Sequence, residues 1–207
     1  MGFNQTIFKY FHEECINRFG KVVGNEIFIN AEIKLTQMIC EADYLNSKAL
    51  KWHMDKNMLP TIAMYLAFKE YATTKAQAYE ITLDIVQIMA RNTKKKNQMI
   101  GKMPFGYTIF KLFCKAIMRK QYPKEGWNTQ WITYDNNEIH FDYSKCIYME
   151  ITKKYNCPEV CPIFCANDET SFAGYAPNIV FEHNNTIGRG NEKCDFHFKN
   201  GNLSRSI

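Results

Sequence analysis

Cys157, Cys161 and Cys165 follow one another at four-residue steps, and Asp168 comes three residues after the last. On a helix opened by Pro158, Cys161, Cys165 and Asp168 share one face, because residues three and four apart are neighbours. Three chemistries fit that face. Cysteine can act as a small hydrophobe and fill a core stripe. It can ligate a metal or an iron–sulfur cluster, although Cx3Cx3C is not a usual zinc spacing and one helix would turn such ligands around its axis. It can also be a catalytic thiol beside a carboxylate. A helix N-terminus favours thiolate, so Cys161 would gain most and Cys165, two turns in, little.

The second group is Cys194-Asp195-Phe196-His197-Phe198. Strand side chains alternate, which places Cys194, Phe196 and Phe198 on one face and Asp195 and His197 on the other. Asp195 could orient His197 as a general base. Equally, the two sets could be a core face and a solvent face, and they are rival sites unless the strand bulges. His183 is a further titratable candidate. His12, His53 and His140 sit in ordinary helix or hairpin contexts and read as structural.

These residues must be held by elements that the patterning outlines. The first 120 residues read as helices. Phe8, Phe11, Cys15 and Phe19 form a stripe, and a helix follows over Ile33–Ala42. Asn46-Ser47 reads as a cap, and Pro60 suits the first turn of the next helix. Thr73-Thr74 can cap a longer one lined by Tyr79, Leu83, Val86 and Ala90. Lys94-Lys95-Lys96 then reads as a solvated helix end or connector rather than a nucleic-acid patch, since no second basic block or stacking aromatics accompany it. Pro104 starts a last helix through Ile109, Phe113 and Ile117.

From Trp127 the grammar changes. Trp131–Tyr134 and Ile139–Tyr143 flank Asp135-Asn136-Asn137-Glu138 as a hairpin. Ser144 can cap a helix through Tyr155, and Pro158 another through about Ala173. Asn178–Glu182 is strand-like, Gly188 and Gly190 mark a turn, and Lys193–Phe198 alternates as a strand. The expected class is α+β: a helical half packed on an antiparallel sheet in ββααββ order, with helices on one face. One domain over 1–207 is expected, helical over 1–123 and α+β over 124–207.

Composition bounds the function. The chain has 207 residues, 46% hydrophobic and 14% aromatic, enough for a real core and against disorder. A net charge of +5 mildly favours acidic ligands and falls short of a nucleic-acid signature. No apolar run approaches the roughly 18 residues of a membrane span, and no secretory signal opens the chain, although Gly2 and Thr6 fit the loose N-myristoylation pattern. The eight cysteines are therefore expected as reduced thiols of a cytoplasmic protein.

Taken together, Cys146-Ile-Tyr, Pro158-Glu159, Cys165-Ala-Asn-Asp168, His183-Asn-Asn-Thr186-Ile-Gly-Arg-Gly190 and Cys194-Asp195-Phe196 resemble the L-2-amino-thiazoline-4-carboxylic acid hydrolase family. The likeness covers roughly residues 100 to 200. One departure stands out: His183 takes the place of an arginine expected before the threonine-bearing turn. Histidine is mostly neutral at pH 7 and cannot grip a carboxylate bidentately, although Arg189 could substitute. Cys157 and Cys161 are additions to the pattern.

The resemblance implies a hydrolase that opens a small cyclic amidine-type substrate by water attack, without a cofactor. It implies Cys165 as nucleophile or as a thiol beside the substrate, Asp168 as acid/base or as the group that holds the exocyclic amine, Asp195 as its partner, and Cys194 completing the catalytic set. Substrate binding would fall to Cys146, His183, Thr186, Arg189 and Gly190, the turn supplying hydroxyl and backbone N–H donors. The expected partner is a carboxylated small molecule, with no nucleic acid or membrane; an oligomer remains open. The rival reading is a binding module in which Cys146, Cys165 and Cys194 converge on a soft metal such as zinc, or different chemistry on the same scaffold.

Overall fold

The computed structural model describes residues 1–72 and 74–203. Helix α1 (Phe11–Phe19) buries Phe11 and Cys15 and turns back into α2 (Lys21–Cys40). That second helix begins well before the expected Ile33, because Ile27, Ala31, Leu35 and Met38 continue one buried stripe along it. Phe3, Phe11 and Phe28 stack against one another, and Phe68 closes edge-on over Phe11.

Ser47 caps α3 (Lys48–His53), its Oγ accepting from the Leu50 amide at 3.2 Å. Pro60 stands in the first turn of α4 (Leu59–Tyr71), as expected, and the chain reaches it without a break through a π-helical turn, Met54–Met58. A proline lacks the N–H an α-helix interior needs, and the wide turn shifts the hydrogen-bond ladder at just that point. Every residue from Leu59 to Tyr65 is buried, which makes α4 the central helix of the core.

Thr74 caps α5 (Lys75–Gly101) by accepting from the Gln77 amide at 3.1 Å; Thr73 lies outside the described residues. Contrary to expectation, Lys94–Lys96 do not follow this helix but lie within it. Its last turns are held by tertiary contacts: Asn97 donates to the Ser171 carbonyl at 2.9 Å, and Gly101 lies against the Tyr175 backbone. Helix α6 (Gly106–Gln121) departs further from the expected pattern. Ile109, Phe113 and Ile117 are 37%, 53% and 47% exposed, so this stripe is not core.

The second half holds β1 (Thr129–Tyr134), β2 (Glu138–Tyr143), α7 (Ile147–Lys154), α8 (Cys161–Phe172), β3 (Ile179–Glu182) and β4 (Cys194–Asn200). The strands form one antiparallel sheet in the order β1-β2-β4-β3, and the class is α+β. Asp135 builds the hairpin turn by accepting from the Asn137 and Glu138 amides at 2.7 and 2.9 Å. Ser144 does not cap α7. Its Oγ accepts from Asn128 at 2.8 Å, and Cys146 occupies the cap position.

Register decides what each sheet face carries. Tyr143 lies opposite Cys194 and Phe141 opposite Phe196, on the inner face toward the helices. Asp142 lies opposite Asp195 and His140 opposite His197, on the outer face. The inner face is aromatic because the helices cover it; the outer face pairs its polar side chains with one another, Asp142 with His140 and Lys193, and His197 with Glu138.

Candidate active site

A cavity of about 340 Å³ lies between the inner sheet face, α6 and α8. The sheet contributes Phe141, Tyr143, Cys194, Phe196 and Phe198. From α6 come Ile109, Phe110, Phe113 and Ile117, which explains a stripe that is neither core nor fully solvated. Cys161, Cys165 and Asp168 project from α8, as three- and four-residue spacing requires. Cys146 and Tyr148 enter from the head of α7, and His183 from beyond the end of β3. His53 braces this wall: its Nε2–H donates to the Gln121 carbonyl at 2.9 Å, and its Nδ1 accepts from Tyr148 at 3.1 Å. Burial pushes His53 down to about 4, so it works as a neutral strut.

Four of the lining cysteines are connected. Cys161 hydrogen-bonds to both Cys146 and Cys165, and Cys194 hydrogen-bonds to Cys146. Cys161 and Cys194 are held as thiols, first by those bonds and then by burial. Cys146 is pulled toward thiolate by Cys161 and Cys194, against the cost of burial, with help from the Tyr148 and Met149 amides at the head of α7. Cys165 is also lowered, by Cys161 and, against its own burial, by the Thr186 hydroxyl. Cys161 carries a single S–H proton and can serve one neighbour at a time. Negative charge on Cys146 disfavours it on Cys165, so the two compete for that proton.

This reverses the expected order of acidities. Cys161, nearest the start of α8, is the donor of the chain rather than its most acidic member, because specific hydrogen bonds outweigh the helix dipole. The bland reading of cysteine holds elsewhere. Cys15, Cys114 and Cys157 are buried and pushed up to about 12 by desolvation.

Asp168 stands one turn after Cys165. Its carboxyl is raised well above the usual range, first by desolvation and then by negative charge on Cys165 and Cys146, which favours its protonated form. Its side chain is only partly covered and lines the cavity. His183 is 9% exposed and neither ring nitrogen has a hydrogen-bond partner in the protein. It packs on Phe196 with ring centroids 4.2 Å apart, and burial pushes it down to about 4.

The other expected site residues do not face the cavity. Strand alternation puts Asp195 on the outer face, where it accepts from the Asn185 amide and side chain, both at 2.8 Å. Desolvation would raise it, but those bonds and the Asn184 amide hold it below the usual carboxylate range. It is therefore an anchor for the loop after β3 and no partner of Asp168. His197 shares that face and pairs with Glu138 at 2.6 Å. Arg189 forks onto Glu169 at 2.5 and 2.9 Å and is not available to a ligand carboxylate in the cavity. Gly190 takes φ +92°, which closes the turn Ile187–Arg189 and suits glycine.

Thr186 is fully buried behind the thiols, its Oγ accepting from the Arg189 amide at 3.1 Å while its hydroxyl meets Cys165. The Ile187 amide of the same turn donates to Cys194 Sγ at 3.2 Å. The turn thus holds sulfur rather than substrate. Gly188 lets it come this close: a Cβ there would stand 2.8 Å from Cys165 Sγ and 3.2 Å from Cys161 Sγ.

The sequence sets Cys161 aside as an addition, does not single out Tyr143, and names Tyr148 only within the Cys146-Ile-Tyr motif, without a role. The signal for Cys161 is its four-residue step to Cys165. Tyr143 carries none, since an aromatic on a strand is usually core. The expected convergence of Cys146, Cys165 and Cys194 on a metal is not the arrangement found. The sulfurs run as a chain, and among the described residues the grouping whose three ligand atoms lie within 4.8 Å of one another is Glu138, His140 and His197, outside the cavity. Among the described residues, no helix is long and apolar enough to cross a membrane.

A sequence model of the family described as L-2-amino-thiazoline-4-carboxylic acid hydrolase matches residues 51–198. The match takes in every cavity element from α4 to β4. No curated protein and no solved structure matches the chain.

Proposed function

We propose, from the premise that this chain belongs to the L-2-amino-thiazoline-4-carboxylic acid hydrolase family, that it opens a small cyclic amidine-type substrate with Cys165 as nucleophile and Asp168 as acid. One observation carries the reading. A thiol lowered toward thiolate and a carboxyl raised well above its usual range stand one helical turn apart on the same cavity wall. Environments that push two titratable groups apart in this way assign nucleophile and acid.

In the proposed sequence the Cys161 proton turns toward Cys146, and the Cys165 thiolate adds to the carbon flanked by the ring heteroatoms. The ring bond to the leaving heteroatom breaks as Asp168 gives it a proton. Water then attacks the thioimidate carbon, the Asp168 carboxylate taking its proton back, and Cys165 leaves as thiolate. The net change is one water added. His183, whose ring nitrogens are unpaired by the protein, supplies polar contact for the substrate's nitrogen.

The cavity also favours a particular substrate body. Apart from its cysteines, Asp168 and His183, its walls are mostly Phe, Ile, Tyr and Met side chains, and among the described residues no Lys or Arg lines it. Arg189 is occupied by Glu169. This supports a ring carrying an apolar or aromatic substituent over a ring carrying a free carboxylate, which would be buried there without a cation.

The test is incubation of the purified protein with L-2-amino-thiazoline-4-carboxylate and, in parallel, with the corresponding thiazoline bearing an alkyl or aryl group, read by mass spectrometry. A product one water heavier from the apolar ring, abolished in Cys165→Ser, is expected. Full turnover in Cys165→Ser removes the nucleophile assignment, and preference for the carboxylated ring removes the substrate reading.

A further inference from the structure

On the outer sheet face, away from the cavity, His140 and His197 lie directly opposite across β2 and β4 with their rings stacked 3.8 Å apart. Glu138, two residues before His140, reaches over to His197, its Oε1 2.6 Å from Nδ1. One nitrogen from each imidazole and one oxygen of Glu138 lie within 4.8 Å of one another, and all three residues are half-buried rather than waving in solvent. We propose that this trio is a binding site for a borderline divalent cation of the zinc class, with its remaining coordination positions open to solvent.

The donor chemistry points to that class. Two imidazoles and one carboxylate suit Zn²⁺ and its neighbours, whereas Mg²⁺ and Ca²⁺ favour oxygen ligands alone. Ligands at zinc stand about 3.3 Å apart for metal bonds near 2 Å, so the present separations need only small side-chain rotations. The strands themselves fix the spacing, since directly paired residues on neighbouring strands are held a few ångströms apart.

The surroundings supply what such a site needs beyond its ligands. Asp142 is 4% exposed, and its Oδ1 lies 3.2 Å from His140 Nε2, an arrangement that directs the His140 Nδ1 lone pair outward. Lys193 fixes that carboxylate from the other side at 2.5 Å. His197 Nε2 lies 4.0 Å from Asp195 Oδ2, and that nearby carboxylate favours the ring proton on Nε2 when a cation takes Nδ1. Lys199 stands directly opposite Glu138 across the ladder, and its ammonium pairs with Glu182 at 2.6 Å. A cation here would clamp β2 to β4, the two strands whose inner residues Tyr143 and Cys194 line the cavity.

The experiment is a Co²⁺ titration of the full chain after chelator treatment and dialysis. One equivalent with visible d–d bands and no thiolate-to-cobalt charge-transfer band in the near ultraviolet is expected. Affinity should fall about 10-fold or more in each of His140→Gln and His197→Gln, and in Asp142→Asn, which removes the partner that orients His140. No uptake overturns the proposal. So does uptake with the charge-transfer band, which would place the metal on the cavity thiols, or uptake indifferent to the histidine replacements. The wild-type spectrum reads the donor atoms even where a variant does not fold.

Discussion

Cys161, the first residue of α8, hydrogen-bonds to Cys146, the cap of α7, so that the heads of two helices meet through sulfur at the wall of the cavity. The same thiol also reaches Cys165. A residue with one proton and two acceptors favours thiolate on whichever of them that proton serves.

Replacing Cys161 by Ala removes that proton. Cys146 and Cys165 should both become less acidic, and the pH at which iodoacetamide alkylation reaches half its plateau should move up. Turnover at pH 7 should fall with it and be recovered at higher pH. Cys161→Ser keeps an O–H donor and should restore most of the low-pH reactivity. An unchanged alkylation profile in Cys161→Ala would show that the shared proton does not set the charge.

Asp168 is raised well above an ordinary carboxyl. Between its unfolded value of 3.8 and its folded one, the native state binds more protons than the unfolded state, so its contribution to stability declines as pH rises through that window. Asp168→Asn should therefore raise the thermal midpoint at pH 7 to 8 while cutting turnover by about 10²-fold or more, the usual weight of a general acid. Wild-type turnover should decline on the alkaline side as the acid is lost. A variant that is both less stable and fully active would contradict the neutral-acid role.

His183 and His53 are both lowered from 6.5 to about 4 by burial. Below pH 6.5 the unfolded chain takes protons these rings refuse, so stability should be intact above 6.5 and fall away as pH drops toward about 4. His183→Phe should blunt that acid sensitivity and leave the protein as stable at pH 7, or more so by about 1 kcal/mol, because two unpaired buried nitrogens disappear. The same variant should lose turnover. Thermal melts across pH 4 to 7 decide the first point and the substrate assay the second.

Gly188→Ala would set a methyl group 2.8 Å from Cys165 Sγ. The glycine has ordinary negative φ, so the backbone tolerates alanine and the conflict is local to the sulfurs. The thermal midpoint should move by a few degrees at most, while thiol reactivity at Cys165 changes and turnover falls at least tenfold. A normal alkylation rate would mean the turn relaxes away from the thiols.

The sequence by itself determined the helical front, the hairpin at Asp135, the ββααββ order and the family, because periodicity, caps and turn residues are local signals. It also put Cys161, Cys165 and Asp168 on one face and separated Cys194 from Asp195, since both follow from helix and strand repeats alone. Tertiary structure decided what those faces meet. Strand pairing turned Asp195 outward to Asn185 and left Cys194 over the cavity. Packing of α7 against α8 brought Cys146 to Cys161, 15 residues apart in sequence, and made the dipole argument for Cys161 secondary to a hydrogen bond. The same holds for His140 and His197, ordinary as letters 57 residues apart and a stacked pair once β2 lies beside β4. Acidity and ligation depend on the few ångströms around a side chain, and those are filled by residues the local pattern does not name.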